Sequence, residues 1–211
     1  MRTVTKAVLA AVTLLVAGAA GASAQRIQVV PRAGVFVSGS SLGEVREGTE
    51  AIKADLEGGL GVGLGIEFGM PLSPFGFRAG FDYATDSKIS GSGISAGGGE
   101  AGAKLLAVAG DLVFRPLPRL LVVQPYLLAG AGVKRYDFEV SELNEGVRDV
   151  FSESQTDFAL HGGAGLDVSL GAIALRAEVS DYVSWFELGS GSEKQMQNDV
   201  FATVGLRITL F

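Results

Sequence analysis

The chain has 211 residues, with 23 acidic against 17 basic side chains, a net charge of −6, one histidine and no cysteine. An acidic chain without basic runs is a poor match for nucleic acid, whose phosphates call for Lys and Arg. The absence of cysteine excludes thiol catalysis, thiolate metal sites and disulfides, and the length suits one domain better than two.

The first element is MRTVTKAVLAAVTLLVAGAAGASAQ. Arg2 and Lys6 form a basic segment, residues 7–17 an apolar core and Ala22-Ser23-Ala24 a small-residue cleavage site. This is the layout of a secretory signal peptide, with a core too short to span a bilayer as a helix. Cleavage is expected after Ala24, giving a signal peptide at 1–24 and one domain at 25–211. No later apolar run has the length of a membrane helix, so strands are the means if a membrane is crossed.

Eight segments then alternate with period two: residues 27–38, 56–70, 75–85, 102–115, 121–138, 157–170, 173–183 and 199–211. Runs of about ten alternating residues separated by turns are the pattern of a transmembrane β-barrel. The connections sort into two alternating kinds. Pro71-Leu72-Ser73-Pro74, Arg115-Pro116-Leu117-Pro118 and Gly171-Ala172 read as tight turns. Residues 39–55, 86–101, 139–156 and 184–198 read as long loops rich in Gly, Ser and acid, Glu44, Glu47, Glu50, Glu142, Glu145 and Glu153 among them.

One face of the alternation is apolar, as in Leu60, Val62, Leu64, Ile66 and Phe68 of GGLGVGLGIEFGM. The other is mostly Gly and Ala with isolated charges: Arg32, Arg78, Lys134, Arg176 and Arg207, and Glu67, Asp82, Asp111, Asp167 and Glu178. A soluble lipocalin-like barrel would turn that second face to water, but it is too sparsely charged for a solvated surface. It suits the cramped interior of an eight-stranded barrel, where glycine makes room for long charged side chains. The apolar face then meets lipid, where closure is obligatory because an unpaired backbone group in hydrocarbon is too costly. The expected fold is an all-β, eight-stranded antiparallel up-and-down transmembrane β-barrel. Turn geometry sets Asp167 opposite Arg176 and Glu67 opposite Arg78 on the inner face, and both are expected to be ion pairs helping to plug a non-conducting lumen.

At this point the chain resembles the small eight-stranded outer-membrane barrels of the OmpA/OmpX type, without a peptidoglycan-binding domain. The resemblance covers the signal peptide and residues 25–211. It implies an outer-membrane location, outer-membrane lipids as surroundings and a monomeric barrel with its long loops outside the cell. It also implies recognition of the C-terminal aromatic Phe211 by the barrel-assembly machinery. The apolar set Val204, Leu206, Ile208 and Leu210 runs one position out of phase with the pattern such proteins show before that aromatic.

His161 carries any histidine chemistry. It is expected to face the lumen opposite Tyr182, near Asp157 and Ser180. Eight-stranded barrels include lipid A deacylases and palmitoyltransferases that use His with Ser and an acid, so these residues are the catalytic candidates. The inward histidine favours a structural role. No loop has calcium-ligand spacing, and 91–102 (GSGISAGGGEAG) lacks the Lys and Ser/Thr of a phosphate loop, so no metal or cofactor is expected. Trp185, Tyr136, Tyr182 and Tyr83 near the loop ends read as an aromatic girdle at the membrane interface. The leading functional expectation is a structural or surface-interaction protein whose loops can engage an extracellular ligand. A lipid-modifying enzyme and a narrow transporter or ligand carrier are the alternatives.

Overall fold

The computed structural model describes residues 26–38, 43–47, 50–56, 58–70, 73–92, 101–117, 122–139, 155–186 and 195–210. The signal segment 1–24, the loop acids Glu142, Glu145 and Glu153, and Phe211 lie outside the described residues. The strands are β1 (Arg26–Ser38), β2 (Gly43–Glu47), β3 (Glu50–Leu56), β4 (Gly59–Gly69), β5 (Phe75–Ser92), β6 (Ala101–Phe114), β7 (Val123–Glu139), β8 (Gln155–Leu170), β9 (Ile173–Phe186) and β10 (Gln195–Thr209). Around the ring the order is β1, β4, β5, β6, β7, β8, β9, β10, and β10 pairs back onto β1. Every neighbouring pair is antiparallel, so this is a closed eight-stave barrel.

Alternation decides which face goes where. Val204 is 68% exposed, Leu60 and Phe158 61% and Val179 56%, whereas Lys134, Asp167 and Asp199 are 0% exposed. Apolar outside and charged inside is the reverse of a soluble protein, and a wall of this kind needs hydrocarbon around it. Two-residue turn chemistry closes the tightest end: Gly171 takes φ 88°, a left-handed value that costs glycine no steric strain, and joins Leu170 to its partner Ile173.

The staves run further than the alternation implies. β5 continues to Ser92, β9 to Phe186, and β8 and β10 begin at Gln155 and Gln195. The stretch 39–55, expected to be a loop, contains β2 and most of β3, paired as a hairpin. β3 also pairs with the far end of β5, Leu56 opposite Ile89, in the register that sets Leu60 opposite Thr85 on β4. β3 is therefore the outward continuation of the β4 stave. β2 and β3 escape a pattern search because they have only five and seven residues, short of the roughly ten-residue alternating run by which a membrane strand is recognised. β6 ends at Phe114 and β7 starts at Val123, so the turn expected at 115–118 lies between them. The β1–β10 ladder skips Val30 and Pro31, since proline has no N–H to give.

Candidate functional site: a charged lumen straddling glycines

The lumen is built from alternate residues of all eight staves, and strand register explains how long side chains meet in so narrow a space. Arg32 of β1 stands beside Gly63 of β4, and Gly63 stands beside Asp82 of β5. The Arg32 guanidinium crosses above that glycine to donate from Nε and Nη2 to the Asp82 carboxylate at 2.8 and 2.7 Å. A Cβ on Gly63 would lie 2.3 Å from Asp82 Oδ1. The arrangement recurs. Asp111 and His161 flank Gly130 and meet across it, with 2.7 Å between Oδ1 and Nδ1. Tyr126 and Glu178 flank Gly165, and the phenol donates to Glu178 Oε2 at 2.6 Å. Glycine between two partners is what lets next-nearest staves pair over the one between them.

Other contacts cross the whole lumen. Arg78 on β5 donates from Nη1 to Glu178 on β9 at 2.5 Å, between staves on opposite sides of the ring. Its Nε reaches Asp111 at 3.0 Å. Tyr182 on β9 likewise spans to Asp82 on β5, donating at 2.8 Å. At the loop end Lys134 and Tyr136 both donate to Asp199, two residues nearer the loops than Phe201, whose ring centroid lies 5.1 Å from that of Phe36. At the turn end Arg176 holds Asp167 through Nε and Nη2 at 2.7 and 2.9 Å and Glu67 through Nη1 at 2.5 Å. Arg115 adds a 2.6 Å bond to Glu67, and Arg207 Nε lies 3.0 Å from Asp167.

The structure therefore places Arg32, Glu67, Arg78, Asp82, Asp111, Lys134, Asp167, Arg176, Glu178 and Arg207 inside the ring, with all but Arg207 buried. Asp167 stands opposite Arg176 and bonds to it. Glu67 stands opposite Arg78, but the expected ion pair between them is corrected: Glu67 takes Arg176 and Arg115, and Arg78 takes Asp111 and Glu178. A ladder fixes Cβ positions, whereas a long guanidinium on a narrow ring can reach past its neighbour. The girdle reading is corrected for Tyr136 and Tyr182, which are fully buried lumenal groups hydrogen-bonded to Asp199 and Asp82. Trp185, one position out of that phase, does face outward.

Sequence reasoning missed Arg115 and Asp199. Arg115 continues the inward phase of Val113 on β6, but its place beside Pro116 gives it the look of a turn residue. Asp199 shares the inward phase of Phe201 and Arg207 on β10, which was available to find it.

His161 does stand opposite Tyr182, its ring stacked on the phenol at 4.0 Å between centroids. Nδ1 is taken by Asp111, and the buried Nε2 has no hydrogen-bond partner. Ser180 stands opposite Gly163, and Asp157 stands opposite Lys134. Neither occupies a nitrogen of His161. A hydrolase base needs a nucleophile on one nitrogen and an orienting acid on the other; here only the acid is present.

Residues 9–206 match the family model of the outer membrane protein beta-barrel domain. The chain belongs to that family. Among solved structures it is similar to Neisserial surface protein A, at 14% identity and TM-score 0.54, covering 87% of this chain and 97% of that one. It is similar to the outer membrane protein OprG from Pseudomonas aeruginosa at 20% identity and TM-score 0.54, with 86% and 92% covered. A major outer membrane protein from Thermus thermophilus gives 14% identity and TM-score 0.54, with 89% and 100% covered. At such identities the likeness is one of fold. No curated protein matches the sequence. As an outer-membrane barrel, the protein sits in lipid, with its apolar wall against the hydrocarbon.

Proposed function

We propose that this outer-membrane barrel is a sealed, non-catalytic platform that presents its long acidic loops at the cell surface for structural or surface-interaction purposes. Its short turns then lie toward the periplasm and its long connections outside the cell, as barrels of this class are arranged. The observation that carries the reading is the excess length of the wall. β5 has 18 residues and β7 has 17, against the ~9–11 residues that a tilted strand needs to cross the bilayer. With β2 and β3 added on β5, the surplus stands at the loop end and forms a paired collar beyond the lipid. A transporter would need an open lumen, and the pairs spanning the ring from β5 to β9 oppose one. A lipid-modifying enzyme would need a nucleophile on His161, whose Nε2 has no hydrogen-bond partner. Assembly through the barrel-assembly machinery, with Phe211 as its signal, belongs to the same proposal, as does capture of an extracellular ligand by the loops.

The test sets the two alternatives against it. Liposomes holding the refolded barrel should swell in sugar solutions no faster than empty ones, and cells making the protein or its His161→Ala variant should carry the same lipid A species. Sugar-dependent swelling, or a lipid A species that vanishes with His161→Ala, would contradict it.

A further inference from the structure

We propose that the turn-end mouth of the lumen, periplasmic in the orientation above, is a binding site for a phosphate-type oxyanion. A cavity of about 180 Å³ opens there, and its lining includes Arg26, Arg115, Arg207, Gln28, Gln124 and Thr209. Among the described residues, that lining holds three guanidiniums and no carboxylate. The carboxylates just beneath are already committed. Glu67 accepts from Arg176 and Arg115, and Asp167 is held by Arg176 with Arg207 beside it.

Among the described residues, the turn end thus sets Arg115, Arg176 and Arg207 against two acids, with Arg26 exposed at the rim as a further cation. Cations held in a confined polar site persist when paired, and an anion in the cavity would supply the missing charge. The loop end of the same lumen leans the other way, where Lys134 lies among Asp157, Asp181 and Asp199. An anion is therefore expected at the periplasmic mouth and not at the outer one.

The donor chemistry narrows the class. A guanidinium carries five N–H groups in a planar fork matched to phosphate oxygens. Arg115 spends Nη2 on Glu67, and Arg207 spends Nη2 on Ser169 Oγ while its Nε, 3.0 Å from Asp167, makes no hydrogen bond, so both forks keep N–H groups in reserve. Gln28 Nε2 gives one N–H to Thr209 Oγ1, which leaves its other N–H and the Thr209 hydroxyl as neutral donors around the same space. The phosphate can come from solution in the periplasm or from a phospholipid headgroup at the membrane surface, and the chemistry of recognition is shared.

The experiment has one arm for each source. Refolded barrel in neutral maltoside micelles is titrated with inorganic phosphate at constant ionic strength, and the heat of binding is measured. Saturable single-site binding is expected, weakened roughly tenfold or more in Arg26→Gln, since a charge-assisted hydrogen bond contributes about that factor. Arg26 lies at the rim, so this variant should fold; heat-dependent gel mobility checks it, and Arg207→Gln provides a second, deeper removal. In the other arm, barrel released from nanodiscs containing an anionic phospholipid is weighed by native mass spectrometry. One retained lipid that Arg26→Gln loses identifies the headgroup as the source, whereas phosphate binding without lipid retention identifies the free anion. Absence of both, or phosphate binding unchanged in the two folded variants, would overturn the site.

Discussion

Gly63 and Gly130 show how much a missing side chain does here. Each stands between two partners that meet over it, so a methyl group would strike an occupied space: 2.3 Å from Asp82 Oδ1 at Gly63, and 2.1 Å from the Gly110 carbonyl oxygen at Gly130. Gly110 is the control, because it faces outward and a Cβ there meets nothing within 4 Å. Elsewhere in a strand, Gly→Ala should help by reducing the freedom of the unfolded chain. Gly63→Ala and Gly130→Ala should instead cost on the order of 1–3 kcal/mol through overpacking, while Gly110→Ala is neutral or stabilising. Urea unfolding in micelles measures all three; equal effects at the three positions would contradict the straddled pairs. The need for small inner residues is legible in the sequence, and so is the phase of Arg32, Asp82 and Asp111. Who pairs with whom is not. Register positions backbones, but the partner of Arg78 is chosen by reach across the ring and by competition among several carboxylates, which no local pattern records.

A strand signals itself only where its two faces meet different surroundings. Between lipid and lumen the alternation is sharp, and β4 and the membrane part of β5 stand out from it. β2 and β3, at five and seven residues, are too short for the roughly ten-residue alternation that marks a membrane strand, and the end of β5 is rich in Ser and Gly like a loop. The same phase rule separates neighbouring aromatics on β9, with Tyr182 inside at 0% exposure and Trp185 outside at 47%. Trp185 is the only tryptophan, so its fluorescence reports one place on the outer wall. In vesicles it should be quenched by lipids brominated near the headgroup more than by lipids brominated at the bilayer centre, as expected of an interfacial aromatic. Quenching by aqueous iodide with no response to either brominated lipid would show that the wall at β9 leaves the membrane earlier than its register implies.

For the whole molecule, closure of the ring and filling of its centre depend on each other. The ring buries Arg32, Arg78 and Arg176 too deeply to leave them unpaired, and their pairing across the lumen draws opposite walls together. This interior is a network of hydrogen bonds and ion pairs joined from wall to wall. The most direct measurement is a double-mutant cycle on Arg78 and Glu178, which bridge the full ring from β5 to β9. Stability is read by urea unfolding of the wild type, Arg78→Ala, Glu178→Ala and the double variant in the same micelles. Each single removal leaves a buried charge short of a partner and should cost about 3–5 kcal/mol. The double variant should cost less than their sum by roughly 2 kcal/mol or more, as for groups in direct contact. Strictly additive losses would contradict the account, because they would mean that water, and not Glu178, faces Arg78 across an open lumen.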